Sequence, residues 1–163
     1  MIGVISLLGC FFELFDPLVA WLIDNLFPTW NRESESSNFD KNGKLALTRR
    51  SINKMLWPGD WDGTVASHPR ESETYVSSAE RRMPEEVGIP CKMDYLFKFE
   101  YHVPYKDIGS ENEICGTLIG IIESESKFNL VEEEISEMKW MTSEELAQEV
   151  KNKPEIYCPW MLI

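Results

Sequence analysis

The chain has 163 residues, of which 43% are hydrophobic and 12% are aromatic. This is enough for one folded domain with a buried core, and it excludes a chain that is disordered throughout. The formal net charge of −12 excludes a broad nucleic-acid-binding surface, which needs clustered lysine and arginine, so we expect no nucleic-acid partner.

The first thirty residues are apolar, but acidic side chains interrupt them. Glu13, Asp16 and Asp24 leave no apolar run of the roughly 18 to 20 residues that span a bilayer. No basic start or small-residue cleavage site marks a secretory signal. We predict two short apolar helices that pack on the domain or on a partner, the second capped by Asp16 with Pro17 at its first position. Peripheral membrane attachment is the less favoured alternative, because the acidic residues repel an anionic lipid surface.

A polar segment follows, and it shows no hydrophobic period. Residues Asn31 to Asn38 therefore predict a linker or exposed loop. This divides the chain into an atypical amino-terminal part, residues 1–38, and a domain of residues 39–163.

Strands and helices alternate through the rest of the chain, which predicts an α/β sandwich. The first helix should end at Gly88 and be kinked by Pro84, and a capping box of Thr142 and Glu145 should open the second. The strands are predicted at Lys44–Arg49, Gly63–Ser67, Lys92–His102, Ile114–Ile122 and Glu137–Met141, and the helices at Ser72–Val87 and from Thr142 to about Asn152.

The four cysteines are scattered along the chain. They show neither a CxxC spacing nor a paired-histidine pattern, so we expect no zinc finger and no disulfide framework. Their scatter favours a reducing compartment and predicts a cytoplasmic protein. The residues are Cys10, Cys91, Cys115 and Cys158.

The first predicted helix carries a nearly complete diphosphate-binding signature. The pattern is Gly, five residues, Glu, seven residues, then Arg-Glu-apolar-x-Glu-Glu-x-Gly-apolar, and this chain matches seven of its nine positions. Ser67 replaces the glycine and Arg82 replaces the second glutamate. Glu85 and Glu86 lie on adjacent faces of one helical turn, where carboxylates can hold a hard cation against a diphosphate. The matching residues are Glu73, Arg81, Met83, Glu85, Glu86, Gly88 and Ile89.

Further blocks surround this signature and make the combination specific. With the signature, they resemble the type 1 isopentenyl-diphosphate isomerases, a branch of the Nudix superfamily, from about Gly43 to Trp160. The blocks are Thr48-Arg-Arg50, Lys54, Trp57-Pro-Gly, Ser67-His-Pro69, Arg70-Glu-Ser-Glu73, Glu111-Asn-Glu113 and Cys158-Pro-Trp160.

The resemblance implies a Nudix-type α/β/α sandwich with a mixed sheet, and an isomerase of isoprenoid biosynthesis. Its reaction interconverts isopentenyl and dimethylallyl diphosphate: one acid adds a proton to the terminal carbon, and a base on the opposite face removes another. A tertiary carbocation lies between the steps. The family uses Mg²⁺ (or Mn²⁺) at the diphosphate, and a second metal held by three histidines and two carboxylates.

The resemblance also assigns roles to individual residues. Glu113 would be the acid–base glutamate, and Tyr101 would assist protonation. His68, Glu111 and Glu113 would be ligands of the second metal, with Zn²⁺ as one candidate, and Glu86 would lie near Mg²⁺. The expected substrate-binding residues are Arg50, Lys54 and Arg82 at the phosphates, and Trp160 with Trp57 at the hydrocarbon.

The chain also departs from the family at positions that matter for catalysis. Ala66 stands where the family has its catalytic cysteine, and alanine has no proton to give. Two of the three metal-binding histidines have no counterpart, since His68 and His102 are the only histidines and His102 is expected on the strand surface. Cys115 could replace the missing acid, but an ordinary buried cysteine is favoured.

Three functions remain open on this basis. The first is an isomerase-like enzyme with impaired activity. The second is a catalytically inactive diphosphate-binding module, because the losses fall on catalysis rather than on phosphate contacts. The third is a Nudix hydrolase of a nucleoside or prenyl diphosphate, which Glu85 and Glu86 favour and Arg82 opposes.

Overall fold

The computed structural model describes residues 31–123 and 127–163. Within them, seven strands form one sheet, and two α-helices and two short 3₁₀ helices pack around it. The predicted amino-terminal helices lie outside the described residues. The strands are β1 (Asn31–Phe39), β2 (Leu45–Arg50), β3 (Trp61–Asp62), β4 (Val65–Ser67), β5 (Met93–Tyr105), β6 (Gly109–Ile121) and β7 (Ile135–Met141), and the helices are α1 (Tyr75–Glu86) and α2 (Ser143–Asn152), with 3₁₀ turns at Pro154–Ile156 and Pro159–Leu162.

The sheet is mixed, as predicted. Its main path runs β3-β2-β1-β6-β5, while β4 pairs with β1 and β7 pairs with β2. β1 and β6 are parallel along the whole of β1, and the other pairs are antiparallel. β1 therefore lies between β6 on one side and β2 and β4 on the other, at the centre of the sheet.

The two α-helices cover opposite faces of the sheet. On β2, Ala46 packs into the apolar cluster that contains α1, whereas its neighbours Leu45 and Leu47 pack into the cluster that contains residues of α2. Successive side chains of a strand point to opposite faces, so the two clusters lie on the two sides of the sheet. This confirms the predicted α/β/α sandwich.

The prediction of a loop at Asn31–Asn38 is wrong, because these residues form most of β1. Their polar side chains hid the strand, since neither face shows the apolar residues by which a strand is recognised. Hydrogen bonds to β4 satisfy two of the hydroxyl groups instead. Ser34 Oγ donates to the carbonyl of Ser67 at 2.9 Å, and Ser36 Oγ donates to that of Val65 at 3.1 Å.

Helix α1 begins three residues later than predicted. Thr74 is the N-cap, and its hydroxyl accepts from the backbone of Ser77 in a reciprocal capping box. Gly88 follows the helix with a φ of +80°, which glycine adopts without steric cost. A second glycine lets the helix approach the sheet, since a Cβ at Gly116 would lie 2.6 Å from the ring of Tyr75.

The remaining elements lie close to their predicted positions. β6 is buried on both faces at Ile114 and Cys115, and Thr142 and Glu145 form the predicted capping box of α2. β5 continues to Tyr105, three residues beyond its predicted end. No helix in the described part of the chain is long and apolar enough to span a membrane.

Candidate functional site

A cavity of about 390 Å³ is lined by side chains from the sheet and from α1. Ser34 of β1 bonds to Ser78 of α1, so Glu33 and Glu35 point to the opposite face. The cavity contains both basic and acidic side chains and one aromatic ring. Its lining residues are Glu33, Arg50, Lys54, Ala66, Ser67, His68, Arg70, Arg81, Arg82, Glu111 and Trp160.

Five basic residues of the cavity, from β2, the loop after it, the loop between β4 and α1, and α1 itself, form what we call the basic cluster: Arg50, Lys54, Arg70, Arg81 and Arg82. Carboxylates hold its members in place. Arg82 contacts Glu86 at 2.6 Å and Glu134 at 2.9 Å, Arg81 contacts Glu73 at 2.6 Å, and Lys54 is paired with Glu134. Arg50 lies 3.3 Å from Asp62. These pairs fix the side-chain directions and leave several guanidinium and ammonium groups at the cavity wall.

Glu86 and Glu85 occupy different environments. Glu86 is buried and lines a smaller cavity of about 30 Å³ beneath Arg82, together with Lys54 and Glu134. Burial raises the pKa of Glu86 to about 7, although the charge of Arg82 opposes the shift. Glu85 is exposed and bonds to Arg81 and Arg82, and it lines neither of these two cavities. Glu86 therefore lines only the smaller cavity, and Glu85 lies at the surface beside the two arginines.

Glu113 lies on β6 and is fully buried. Its Oε1 accepts from Asn31 Nδ2 at 3.3 Å and lies 3.3 Å from His68 Nε2, while its buried Oε2 has no hydrogen-bond partner. The bond to Glu113 raises the pKa of His68, and burial with the nearby charge of Glu113 raises that of Glu111. The predicted convergence of His68, Glu111 and Glu113 is therefore present in the structure.

These residues do not form a recognisable metal-ligand group. Across residues 31–123 and 127–163, no three or more His, Cys, Asp or Glu side chains are arranged to hold a metal ion. The neighbour of Glu113 on β1 is Asn31, a neutral amide that donates a hydrogen bond to it. Glu86 lies with Arg82, Lys54 and Glu134 and not with the other predicted ligands.

Sequence analysis missed Glu33, a carboxyl group of β1 that lines the cavity. The hydroxyl of Tyr101 donates to its Oε2 at 2.7 Å. Burial raises the pKa of Glu33 to about 7, and the nearby charges of Glu113 and Asp62 add to the shift, while the Tyr101 bond opposes it. A period-two alternation of glutamate and serine in residues 33–36 is the one sequence signal that could have revealed this face.

Aromatic side chains close the apolar part of the site. The indole of Trp160 stacks on the ring of Tyr101 at 5.6 Å, and its Nε1 donates to Asp62 Oδ1 at 2.9 Å. Trp57 packs edge-on against Trp160 at 5.0 Å and supports it without lining the cavity itself. Of the two tryptophans predicted to face the hydrocarbon, the structure places Trp160 at the cavity.

Ala66 lies on β4 at the cavity wall. Its cross-strand partner is Glu35 of β1, whose pKa burial raises well above the ordinary value. Glu35 Oε2 lies 3.7 Å from the Sγ of Cys115, which is fully buried and does not line the cavity. The structure thus supports the reading of Cys115 as an ordinary buried cysteine, and it places across from Ala66 a carboxyl group, that of Glu35, which the sequence did not indicate.

Comparison with known proteins identifies the family of this chain. A family model described as the NUDIX domain matches residues 38–160. The chain belongs to the Nudix family. Proteins named isopentenyl-diphosphate Delta-isomerase match it at 37% identity over 134 residues in Haloarcula marismortui (77% of this chain, 69% of the relative) and at 35% over 130 residues in Halobacterium salinarum (77% and 61%). Within the Nudix family the chain is therefore a relative of the type 1 isomerases, and it spans roughly 60–70% of the length of these relatives.

Solved Nudix-like structures show the same fold at low identity. A MutT protein from Methanosarcina mazei superposes with a TM-score of 0.65 at 18% identity, covering 81% of this chain and 87% of its own. The protein DR0079 from Deinococcus radiodurans gives 0.59 at 20% identity, with coverage of 76% and 75%. In this Nudix domain, α1 is the signature helix, and the cavity lies beside it.

Proposed function

We propose that this Nudix protein is an isopentenyl-diphosphate isomerase-like enzyme of isoprenoid biosynthesis, an intramolecular isomerase acting in the cytoplasm on a small diphosphate. Its relatives named isopentenyl-diphosphate Delta-isomerase support this assignment. The observation that carries the proposal is the composition of one cavity, in which a basic cluster lies beside two half-buried carboxyl groups and the indole of Trp160. A diphosphate group needs the basic side chains, and a short hydrocarbon attached to it needs the aromatic ring.

The basic cluster provides the diphosphate contacts. Arg50, Lys54 and Arg82 each contribute a charge-assisted donor, the kind of hydrogen bond that phosphate oxygens accept most strongly. The cavity walls exclude part of the solvent, which strengthens these interactions. Because the chain retains all three residues, affinity for a diphosphate should survive.

The hydrocarbon would lie against Trp160, where an aromatic face can stabilise a developing carbocation. Beside it, Glu111 and Glu113 can accept a proton, and Tyr101 closes the floor through its stack on Trp160. Ala66 supplies no acid at the family position. A general acid contributes typically about 10²- to 10⁴-fold, so we propose that the activity is impaired relative to the family.

The chain has residues that fit divalent cations. His68, Glu111 and Glu113 would be the residues nearest to a second cation such as Zn²⁺, although the described residues contain no complete ligand group there. Glu86 and Glu134 offer the oxygen ligands that Mg²⁺ or Mn²⁺ prefers beside the basic cluster. A bound cation would neutralise phosphate charge and favour the ionised carboxylates, and the protein's own residues would orient the substrate and move its protons.

A diphosphate-binding module without turnover is the second candidate, and Ala66 is the observation that favours it. Hydrolysis is less well supported, because Arg82 occupies the position of a metal-binding glutamate and contacts both Glu86 and Glu134.

One incubation separates the three functions. Purified protein is mixed with isopentenyl diphosphate and magnesium, and both dimethylallyl diphosphate and free phosphate are measured beside substrate binding by calorimetry. Formation of the isomer supports the proposal. Release of phosphate supports a hydrolase, and saturable binding without either product supports a binding module.

A further inference from the structure

We propose that Glu33 is the proton donor of this site and replaces the acid that Ala66 lacks. The inference rests on the proposed isomerase function, and it names the residue that starts that reaction.

The position of Glu33 carries the proposal. Glu33 lies on the central strand β1, between β4, which bears Ala66, and β6, which bears Glu113. Both Glu33 and Ala66 line the cavity, so a substrate that contacts one wall can reach the other. Ala66 pairs across the strands with Glu35, and Glu33 lies two residues along the same face of β1. The replacement carboxyl group is thus one strand away from the missing side chain.

Tyr101 holds the carboxyl group of Glu33 in one orientation. Its hydroxyl donates to Oε2 at 2.7 Å, and its ring is held by stacking on Trp160. A proton carried by Glu33 is therefore placed on Oε1. The same tyrosine was expected to assist protonation, and its bond to Glu33 links that expectation to a specific acid.

The surroundings of Glu33 favour its protonated form near neutral pH. Burial raises its pKa to about 7, which suits a group that must hold a proton at neutral pH and also release it. Cys115 is a weaker candidate, because burial raises the pKa of its thiol and it does not line the cavity. The charged or titratable groups that act on Glu33 from the surrounding elements are Tyr101, Glu113, Cys115, Asp62, His68, Arg50 and Glu35.

The proposed reaction consists of two proton transfers. Glu33 gives its carboxyl proton to the terminal carbon of isopentenyl diphosphate, and the electrons of the double bond form the new C–H bond. The cation left at the tertiary carbon faces Trp160. Glu111, which lines the cavity with Glu113 close behind it, then takes a proton from the carbon next to the diphosphate-bearing one, and that C–H electron pair forms the new double bond. Proton exchange with water in the cavity returns a proton to Glu33 and removes one from Glu111.

Glu33→Gln tests the role directly, with Glu35→Gln as the matched control. Both changes replace a half-buried carboxyl group on the same face of β1, but Glu35 does not line the cavity. We expect Glu33→Gln to lower kcat by about 10²- to 10⁴-fold, with calorimetric affinity for inorganic pyrophosphate unchanged within threefold. Glu35→Gln should leave kcat within threefold. Equal kcat in Glu33→Gln and the unmodified protein would overturn the proposal while leaving the isomerase function standing.

A rescue experiment separates proton donation from a structural role. Ala66→Cys introduced into the Glu33→Gln protein supplies an acid from the neighbouring strand, and we expect kcat to rise at least tenfold over Glu33→Gln alone. No rise, in a double variant that binds pyrophosphate normally, would contradict the assignment. If Glu33→Gln does not fold, the pH profile of the unmodified protein decides: kcat should fall above pH about 7, and a profile flat to pH 9 would overturn the proposal. Absence of turnover in the unmodified protein would instead remove the isomerase function itself.

Discussion

The hydroxyl of Tyr101 lies 2.7 Å from Oε2 of Glu33, so two strands that are not neighbours, β5 and β1, are joined across β6 at the floor of the cavity. Both side chains are largely removed from solvent, and each affects the proton affinity of the other. The bond opposes the upward shift of the Glu33 pKa, whereas the carboxyl group raises the pKa of the phenol. Tyr101 therefore stays protonated as a donor, and Glu33 is the group of the pair that titrates near neutral pH.

Tyr101→Phe should weaken catalysis through Glu33. Loss of the hydroxyl removes one hydrogen bond to a carboxyl group, and we expect kcat to fall by roughly tenfold, about 1.4 kcal/mol. Because the lost bond had lowered the pKa of Glu33, the falling limb of kcat should move to higher pH. Steady-state kinetics between pH 5 and 9 measure both effects. A limb that stays in place would show that the two groups are not coupled in the reaction.

The free energy of unfolding should fall as the pH rises from about 5 to 8. The pKa of Glu33 is raised from 4.5 to about 7 in the folded chain, and that of Glu86 is raised to the same value. Between these values the folded protein binds more protons than the unfolded one, so stability is lost as the pH rises through this window. Each group should contribute on the order of 1–3 kcal/mol. Urea unfolding at pH 5.5 and 8 measures the change.

The control for this prediction is Glu33→Gln, which cannot ionise. It should remove the share of the pH dependence that belongs to Glu33 and make the protein more stable at pH 8. An unchanged difference between the two pH values would mean that Glu33 is not the group responsible.

Arg82→Gln should weaken diphosphate binding. The change removes a cation from the cavity wall, and a charge-assisted hydrogen bond contributes about 1.5–3 kcal/mol, so affinity for inorganic pyrophosphate should drop at least tenfold. It also leaves Glu86 without its 2.6 Å partner, so a fall in the unfolding temperature should accompany the loss. Lys92→Gln is the matched surface control, because Lys92 pairs with Glu80 on an exposed surface. Similar pyrophosphate affinities for the two variants would argue against the basic cluster as the binding site.

Asn31→His should create zinc affinity. The Asn31 side chain lies 3.3 Å from Oε1 of Glu113, on the opposite strand from His68, so an imidazole there would add a nitrogen ligand. We expect zinc affinity measured by calorimetry to rise at least tenfold over the unmodified protein. In the Asn31→His protein, His68→Ala should abolish the gain. A gain that survives the loss of His68 would locate the bound zinc elsewhere.

The sequence was sufficient to predict most of the fold, because its signals are local. The capping box at Thr142, the glycine after α1 and the apolar run of β6 each act within a few residues, and each was recognised. The capping box at Thr74 is equally local but was overlooked, so α1 was predicted to begin too early. β1 escaped prediction because its stability comes from pairing with β6 and from hydroxyl bonds to β4, not from apolar residues. The sequence of β1 therefore shows no hydrophobic pattern by which the strand could be recognised.

The site was predictable in part for the same reason. The signature and its flanking blocks located the basic cluster and brought His68, Glu111 and Glu113 together. Glu33 was missed because its proposed role depends on a hydrogen bond from Tyr101, which is 68 positions away in the sequence. The burial that raises the pKa of Glu33 is likewise a property of the assembled sheet and not of the segment around it.

The initial rate of dimethylallyl diphosphate formation, measured side by side for the unmodified protein and Ala66→Cys, tests the central claim most directly. We predict isomerisation by the unmodified protein at well below about 1 s⁻¹, and a rate at least tenfold higher when cysteine restores an acid on β4, still below the enzyme norm of about 10 s⁻¹. A rate of about 1 s⁻¹ or more without the cysteine would contradict the claim of impairment. Absence of the isomer from both proteins, at saturating substrate and magnesium, would contradict the claim that this cavity catalyses isomerisation.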